Sequence, residues 1–237
     1  NFASIDEAAR KPFTSKALRE CYRQGAQAIG WHKRTTRPRS MREGCELVGL
    51  GVATGMWEAL MQKAAAQACL TADGRLAVST AASDIGTGTW TILAQIGADA
   101  LGLPLGDVTP LIGDSSLPAS PVEGGSWTAA SNGAAVQAAC EALKQRLFKS
   151  AKGMANSPFA NAAFDDVAFR DGRLMRKDDP GGSLALTEIL HAADLEEITE
   201  DGQATPDAAI ARKDASYTHS AVFAEIRVDE ELGIIRI

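Results

Sequence analysis

Hydrophobic and polar positions along this chain change period several times, and each change marks an element. Residues 15–30, SKALRECYRQGAQAIG, place Leu18, Cys21, Tyr22, Gly25, Ala26 and Ile29 on one stripe at helical spacing. The stripe predicts a helix, with Ser15 or Thr14 as its cap and Gly30 as its stop. Residues 89–103, TWTILAQIGADALGL, repeat the period with Ile92, Leu93, Ile96, Ala100 and Leu101 on the apolar side. Gly102 and Pro104 end that helix. The longest helical stretch is 127–153, with Val136, Cys140, Leu143 and Leu147 on one face. Ala130, Gly133 and Ala134 in it are small enough to let another backbone come close. A short helix is predicted at 184–195.

Elsewhere the period falls to two. RLAVSTAAS (75–83) and DVTPLIGD (107–114) read as strands, and DDVAFRDGRLMRK (165–177) reads as a hairpin turning on Asp-Gly. Residues 220–237 read as a second hairpin. Residues 32–44 and 115–126 carry the Pro, Gly and Ser of loops, and the polar stretch 200–215 is expected to be a mobile loop.

The segment 45–70 supports two readings. Gly49, Gly51 and Gly55, followed by Asp73, imitate a dinucleotide-binding fingerprint, which requires a helix over 56–70. The third glycine stands one place late, however, and no strand–helix alternation follows. The segment also runs into Ala72-Asp73-Gly74, a hairpin turn, which needs a strand before it. Residues 61–71 are therefore expected to be extended despite their alanines, with pairing overriding helix propensity. The elements together give an α+β chain: mixed and antiparallel strands and hairpins packed with long helices.

The 237 residues, 45% hydrophobic and 23% charged, have ordinary globular composition and enough length to bury a core. Aromatic residues make up only 5%, so packing must rest on small side chains and close backbone approach. A net charge of −6 argues against a nucleic-acid surface. The basic stretch HKRTTRPR (32–39) is local and reads as a solvated loop, with contact to an anion or a partner as the alternative. No run reaches the ~18 apolar residues of a membrane span. No signal peptide is recognisable, and both ends read as cuts through a longer protein.

Candidate chemistry is sparse. The four cysteines, Cys21, Cys45, Cys69 and Cys140, have no metal-binding spacing, and Cys140 reads as a buried apolar residue. Glu188 and His191 stand three apart on a short helix, too few ligands for a metal; His32 and His219 have no evident partner. No complete acid–base pair is found. The stretch SDIGTGTWT (83–91) is more informative: a strand enters it, glycines occupy 86 and 88, and a helix leaves it. Such a helix start offers unpaired N–H groups and a partial positive charge, to which Thr87 and Thr89 add hydroxyls. It lacks the lysine of a phosphate loop, and Asp84 reads as a turn or cap residue. EGGSWTAAS (123–131) repeats the arrangement 38 residues later, with Ser126 as an expected N-cap and Trp127 and Thr128 in the first turn. The pair reads either as two independent caps, as in a non-enzymatic α+β interaction module, or as a double cradle for one large polar ligand.

The order and spacing of SDIGTGTWTILAQIGADALGLP, VTPLIGDSSLPASPVEGGSWTAAS and the helix after them resemble the molybdopterin-binding large subunits of the xanthine dehydrogenase and aldehyde oxidase family. The likeness is to bacterial periplasmic aldehyde oxidases and isoquinoline-oxidoreductase-type enzymes in particular. It is strongest over 72–150 and extends to CYRQGAQAIGW, RPRSMREG and LVGLGVATGMWEA upstream and to AVFAEIRVDEELGIIRI at the end.

The resemblance implies that Gly86, Thr87 and Gly88 approach the molybdenum–pterin head, with Thr87 where many members carry a glutamine. It implies that Gly124, Gly125, Ser126 and Thr128 hold the pterin and phosphate side. More weakly, it implies that Met56 and Trp57 line a substrate funnel. The implied cofactor is molybdenum–molybdopterin cytosine dinucleotide, with [2Fe–2S] and FAD groups on other subunits or domains. The implied partners are the remainder of the molybdopterin subunit, an iron–sulfur subunit, an FAD subunit and a small-molecule substrate; neither nucleic acid nor membrane is expected. The implied place is the bacterial cytoplasm or periplasm. The family's catalytic glutamate lies outside this stretch, so the chain is expected to contain no catalytic or metal-ligating residue and to be inactive alone. The resemblance also favours strand over helix in 45–71. On this reading 1–237 is one fragment: a helix and basic loop (1–44), a core with both glycine loops (45–153), and hairpins, a short helix and the mobile loop (154–237).

Overall fold

A computed structural model describes residues 3–179 and 181–237. It divides the chain into two units, residues 1–59 with 207–237, and residues 60–206. These divisions differ from the changes of sequence texture at 45 and 154, because the first unit is assembled from both ends of the chain.

The first unit begins with two short strands, β1 (Ile5–Asp6) and β2 (Lys11–Pro12), paired antiparallel. Helix α1 (Leu18–Ile29) follows and ends at Gly30, whose φ of 73° is readily adopted by glycine. Its N-cap is Ala17, with no side-chain cap, rather than Ser15 or Thr14. The segment before it is committed elsewhere: Phe13 bridges Ala215, and the Thr14 N–H donates to the Ala215 carbonyl at 3.0 Å. Strands β3 (Arg42–Glu43) and β4 (Glu46–Glu58) complete the N-terminal part. Gly49, Gly51 and Gly55 all lie inside β4, and no helix occupies 56–70. That overturns the dinucleotide-binding alternative; Asp73 is instead a turn residue bonded to the Thr71 hydroxyl.

The second unit opens with the hairpin β5 (Ala64–Thr71) and β6 (Leu76–Ser79). Helix α2 (Thr89–Leu101) crosses from β6 to the parallel strand β7 (Val108–Leu111). Helix α3 (Thr128–Gly153) follows. Strands β8 (Val167–Arg170), β9 (Arg173–Arg176) and β10 (Ser183–Ala185) form a small antiparallel sheet. Its first turn sets Asp171 and Gly172 at φ 53° and 68°, as a two-residue hairpin turn requires. Helix α4 (Leu186–Ala192) and strand β11 (Glu197–Ala204) end the unit. The main sheet has the order β11-β5-β6-β7, and α2 and α3 pack on it.

The expectation for 61–71 holds, and its physical reason is visible. β5 is paired on both sides, along eight residues with β11 and four with β6. Every second residue, Ala64, Ala66, Ala68 and Leu70, is buried in the core that also holds α3. Alanine suits this position because α3 lies unusually close. A Cβ on Gly202 of β11 would collide with the α3 backbone at Ala135 and Ala139. The apolar face of α2 is Leu93, Ala94, Gly97, Ala98 and Leu101, with Ile92, Ile96 and Ala100 only half-buried. Ile96 fits against Gly133 of α3, where an added Cβ would meet its side chain. Cys140 is fully buried, and desolvation pushes its thiol up to about 12.

The polar stretch 200–215 is not a loop. Its start belongs to β11, and residues 208–213 form α5 (Ala208–Lys213), capped by Asp207. The alternation in β11 is hard to see because its inward residues include Gly202 and Ala204, while Glu197, Thr199, Asp201 and Gln203 face out. β12 (Tyr217–Asp229) then returns to the first unit and pairs with β4 along thirteen residues. β13 (Ile235–Arg236) closes the chain against β12. α1 packs on this ribbon, Phe223 filling the space at Gly25 and meeting Trp31 edge-on at 5.5 Å. No helix among the described residues is long and apolar enough to cross a membrane.

Candidate functional site

The two glycine-rich loops both belong to the second unit, and they line one cavity of about 400 Å³. The first loop leaves β6 through Thr80, which is fully buried, and turns on Asp84. One carboxylate oxygen of Asp84 accepts the N–H groups of Gly86, Thr87 and Gly88 at 2.8, 3.0 and 3.2 Å. These bonds, Gly86 first, hold the Asp84 carboxyl below its ordinary value, since each favours the ionised form. Asp84 is thus the turn and cap residue expected. It also changes the picture of the loop: its amides already have a partner, so what it offers a ligand is hydroxyls and room. Gly86 and Gly88 have φ of 98° and 80°, and the space where a Cβ would stand is open at both. Thr87 and Thr89 stand beside them with hydroxyls 3.3 Å apart.

The second loop is strung on the sheet before it reaches the cavity. The Pro118 carbonyl accepts from the Ala81 N–H and the Ala119 carbonyl from the Ala65 N–H, both at 2.8 Å. Thr80 adds a buried link, its hydroxyl lying 2.9 Å from the Ala65 carbonyl and 3.1 Å from Asn132 of α3. At the tip, Gly125 and Ser126 have φ of 53° and 61°. The Trp127 ring lies against Gly125, so that a Cβ there would collide with it, and its indole N–H donates to the Val122 carbonyl at 2.7 Å. Ser126 is therefore not the N-cap. Its left-handed backbone cannot take the extended conformation of a capping serine, the cap position falls on Trp127, and α3 starts at Thr128 without a side-chain cap.

Ile85, Ile92 and Leu93 give the cavity an apolar side. Thr87, Thr89, Ser126 and Thr128 give it hydroxyls, and Thr128 and Ala129 bring the start of α3 to it. No ionisable residue lines it among those described. The arrangement can hold and orient a partly flat, partly anionic group; it contains nothing to move a proton. The start of a 26-residue helix favours an anion, and hydroxyl donors complete its hydrogen bonds. A larger hollow of about 690 Å³ lies at the other end of α2, around Gln95, Asp99, Leu105 and Arg170. It is more open and touches neither glycine loop.

Gly86, Thr87, Gly88, Gly124, Gly125, Ser126 and Thr128 are thus gathered in two facing loops. Met56 and Trp57 are on β4, in the other unit, both well exposed. As neighbours on a strand they face opposite sides of the ribbon. The Glu188 carboxylate accepts the Ala185 N–H at 2.6 Å and so steadies the start of α4. His219 packs edge-on against Phe13 at 5.2 Å. Among the described residues no three His, Cys, Asp or Glu side chains are grouped as a metal would need. The basic stretch is exposed; Arg39 pairs with Glu230, and Arg34 lies over the Trp31 ring.

Sequence reading missed Glu123. Its carboxylate crosses from the second loop to accept the Ser83 N–H of the first at 2.7 Å. No local pattern could have indicated it, because donor and acceptor lie 40 residues apart and the donor is main chain.

Known proteins agree with this architecture. The profile of the molybdopterin cofactor-binding domain family matches residues 24–237. The aldehyde oxidoreductase molybdenum-binding subunit PaoC of Escherichia coli K12 is 34% identical over 230 residues, 95% of this chain and 29% of that protein. Quinoline 2-oxidoreductase from Pseudomonas putida 86 superposes with a TM-score of 0.76 at 18% identity, covering 99% of this chain and 31% of that one. Reconstituted CO dehydrogenase from Oligotropha carboxidovorans gives 0.71 at 18% identity, over 96% of this chain and 30% of the other. At such identity the structural likeness speaks to fold alone. The chain spans less than a third of the length of the curated relatives it matches.

Proposed function

From the premise that this chain belongs to the molybdopterin cofactor-binding domain family, we propose that its two facing glycine loops form one wall of the cofactor pocket. The observation that carries this reading is the shared cavity of about 400 Å³, lined by Thr87 from one loop and by Gly124, Gly125, Ser126 and Thr128 from the other. The residues fit such a group. Open space at Gly86 and Gly88 leaves room for a ring system close to the backbone. The uncapped start of α3, with Ser126 and Thr128 beside it, suits a phosphate. Buried Leu93 and half-buried Ile92 give one side of the cavity an apolar wall.

When bound, the molybdenum–pterin group supplies the oxidation chemistry itself. The residues of this chain bind and orient it. Thr87, between the two open glycines, is the candidate to approach its head, which its position on the cavity wall supports, and Met56 and Trp57 are candidates for a substrate funnel. In the intact protein the reaction is the oxidation of an aldehyde or the hydroxylation of an N-heteroaromatic carbon, with water as the oxygen source. The name of PaoC, an aldehyde oxidoreductase subunit, supports the first of these. The cofactor is the cytosine dinucleotide form, and electrons leave through [2Fe–2S] centres to FAD on partner subunits or domains. The catalytic base is contributed by the longer polypeptide.

The test is metal analysis with pterin fluorescence on the full-length protein, expressed in a host able to make the cofactor. Stoichiometric molybdenum and pterin are expected. Absence of both overturns the reading and leaves two independent helix starts.

A further inference from the structure

We propose that Glu123 is a positioning residue that sets the width of the cavity by tying together the segments that lead into the two glycine turns. This inference rests on the cofactor reading above. Each loop is stiffened from within. Asp84 gathers the N–H groups of Gly86, Thr87 and Gly88 on one oxygen, and Trp127 locks the second loop through its indole bond to Val122. Two stiff loops still move as bodies unless something spans them. At their bases the spanning bonds are made by the Ala81 N–H and the Thr80 hydroxyl, which both meet the Pro118 carbonyl, at 2.8 and 3.4 Å. Nearer the cavity the span is made by Glu123. It precedes Gly124, which lines the cavity, and its carboxylate reaches the N–H of Ser83, the residue before the Asp84 turn.

Two features identify the contribution as reach rather than charge. The acceptor meets a neutral main-chain N–H at 2.7 Å, and no cation lies among the residues lining the cavity. An amide oxygen at the same distance does the same work, whereas a side chain one methylene shorter does not reach. Outer partners that fix metal-ligating side chains commonly change metal affinity by about 10- to 100-fold when removed, and a bond that fixes a cofactor loop is expected at the low end of that range.

The experiment compares Glu123→Gln, Glu123→Asp and Glu123→Ala in the full-length protein, made in a host that supplies the cofactor. Two quantities are read: molybdenum and pterin retained per polypeptide after extensive dialysis, and hydrogen exchange at the Ser83 amide in cofactor-free protein. Glu123→Gln is expected to match the wild type in both. Glu123→Ala and Glu123→Asp are expected to exchange faster at Ser83 and to bind the cofactor about tenfold more weakly. Wild-type loading in Glu123→Ala, or depletion in Glu123→Gln equal to that in Glu123→Ala, overturns the inference and leaves the cofactor reading standing. A wild-type protein without molybdenum or pterin overturns both. Should Glu123→Ala fail to fold, the Gln and Asp variants decide, because retention by Asp and loss by Gln contradict the proposal.

Discussion

Residues 60–206 bury a continuous core in which Leu70, Leu76, Leu93, Leu143, Leu147 and Ile189 are almost wholly inaccessible. In the unit formed by both ends of the chain, Leu18 and Ala215 are the buried apolar residues among those described. That unit relies instead on the thirteen-residue ladder between β4 and β12, on α1 packed by Phe223, and on partly buried ion pairs of Arg227 with Glu43 and Glu46. The difference is instructive at two strand positions, where glycine has opposite meanings. Gly202 is there because α3 leaves no space for a Cβ, while Gly49 and Gly51 have nothing within 4 Å. Tight packing gathers a large penalty at single positions. A ladder spreads its stability over many bonds of about 1 kcal/mol each.

The comparison breaks most easily at its glycines. Gly202→Val forces a branched side chain into the α3 backbone and is expected to cost about 3 kcal/mol or more. Gly51→Val, in open space on a strand that favours β-branched residues, is expected to change stability by less than about 0.5 kcal/mol. Equal shifts of the urea midpoint for the two variants contradict the contrast. Truncation gives the next test. Leu143→Ala should lose about 3 kcal/mol, as removal of a buried leucine does. Val222→Ala, 62% exposed on β12, should stay within about 0.5 kcal/mol in the same measurement.

Acid is expected to act on both units alike, which sharpens the comparison by finding what they share. Asp84 in one unit and Asp229 in the other hold their carboxyls low by accepting main-chain N–H groups, Gly86 and Leu232 first respectively. A lowered folded value means stability that is present above the ordinary aspartate value near 4 and is lost as pH falls through the lower, folded value. Asp84→Asn should therefore lower the thermal midpoint at pH 7 and flatten its dependence on pH below about 4; an unchanged slope contradicts the assignment. The smallest effect is expected at the surface. Arg236→Gln removes the pair between the exposed Arg236 and the largely buried Glu46, which keeps Arg227 at 3.6 Å, and should cost no more than about 0.5 kcal/mol by the same urea titration.

Much of this was legible from residue order. The helices at 18–29, 89–101 and 128–153 and the hairpin at Asp171–Gly172 follow from period and turn chemistry, which are local. The strand at 64–71 was legible through its turn and the resemblance, not through its composition, because alanine alone points to helix. Both glycine loops stood out, since positive φ and helix starts leave marks on neighbouring residues. What escaped depends on distant partners. β11 hides its alternation because the α3 backbone demands glycine at 202, and the start of α1 is delayed by pairing with Ala215, some 200 residues on. The failure of Ser126 as a cap is a matter of backbone handedness, set by the turn onto Trp127. The span from Glu123 to Ser83 leaves no local mark at all.

The long ladder has a consequence for the order in which the molecule is made. Glu58 pairs with Tyr217, so 158 residues must be synthesised between the end of β4 and the arrival of its partner. At the usual 5–20 residues per second, β4 waits for about 8–30 s on the ribosome. The intervening unit is complete at residue 206, which leaves about 0.5–2 s between its completion and the synthesis of Tyr217. β4 meanwhile exposes an unpaired edge, and its glycines at 49, 51 and 55 weaken its own tendency to form a strand with other chains. The residues that leave the finished ribbon thinly packed also protect the nascent one.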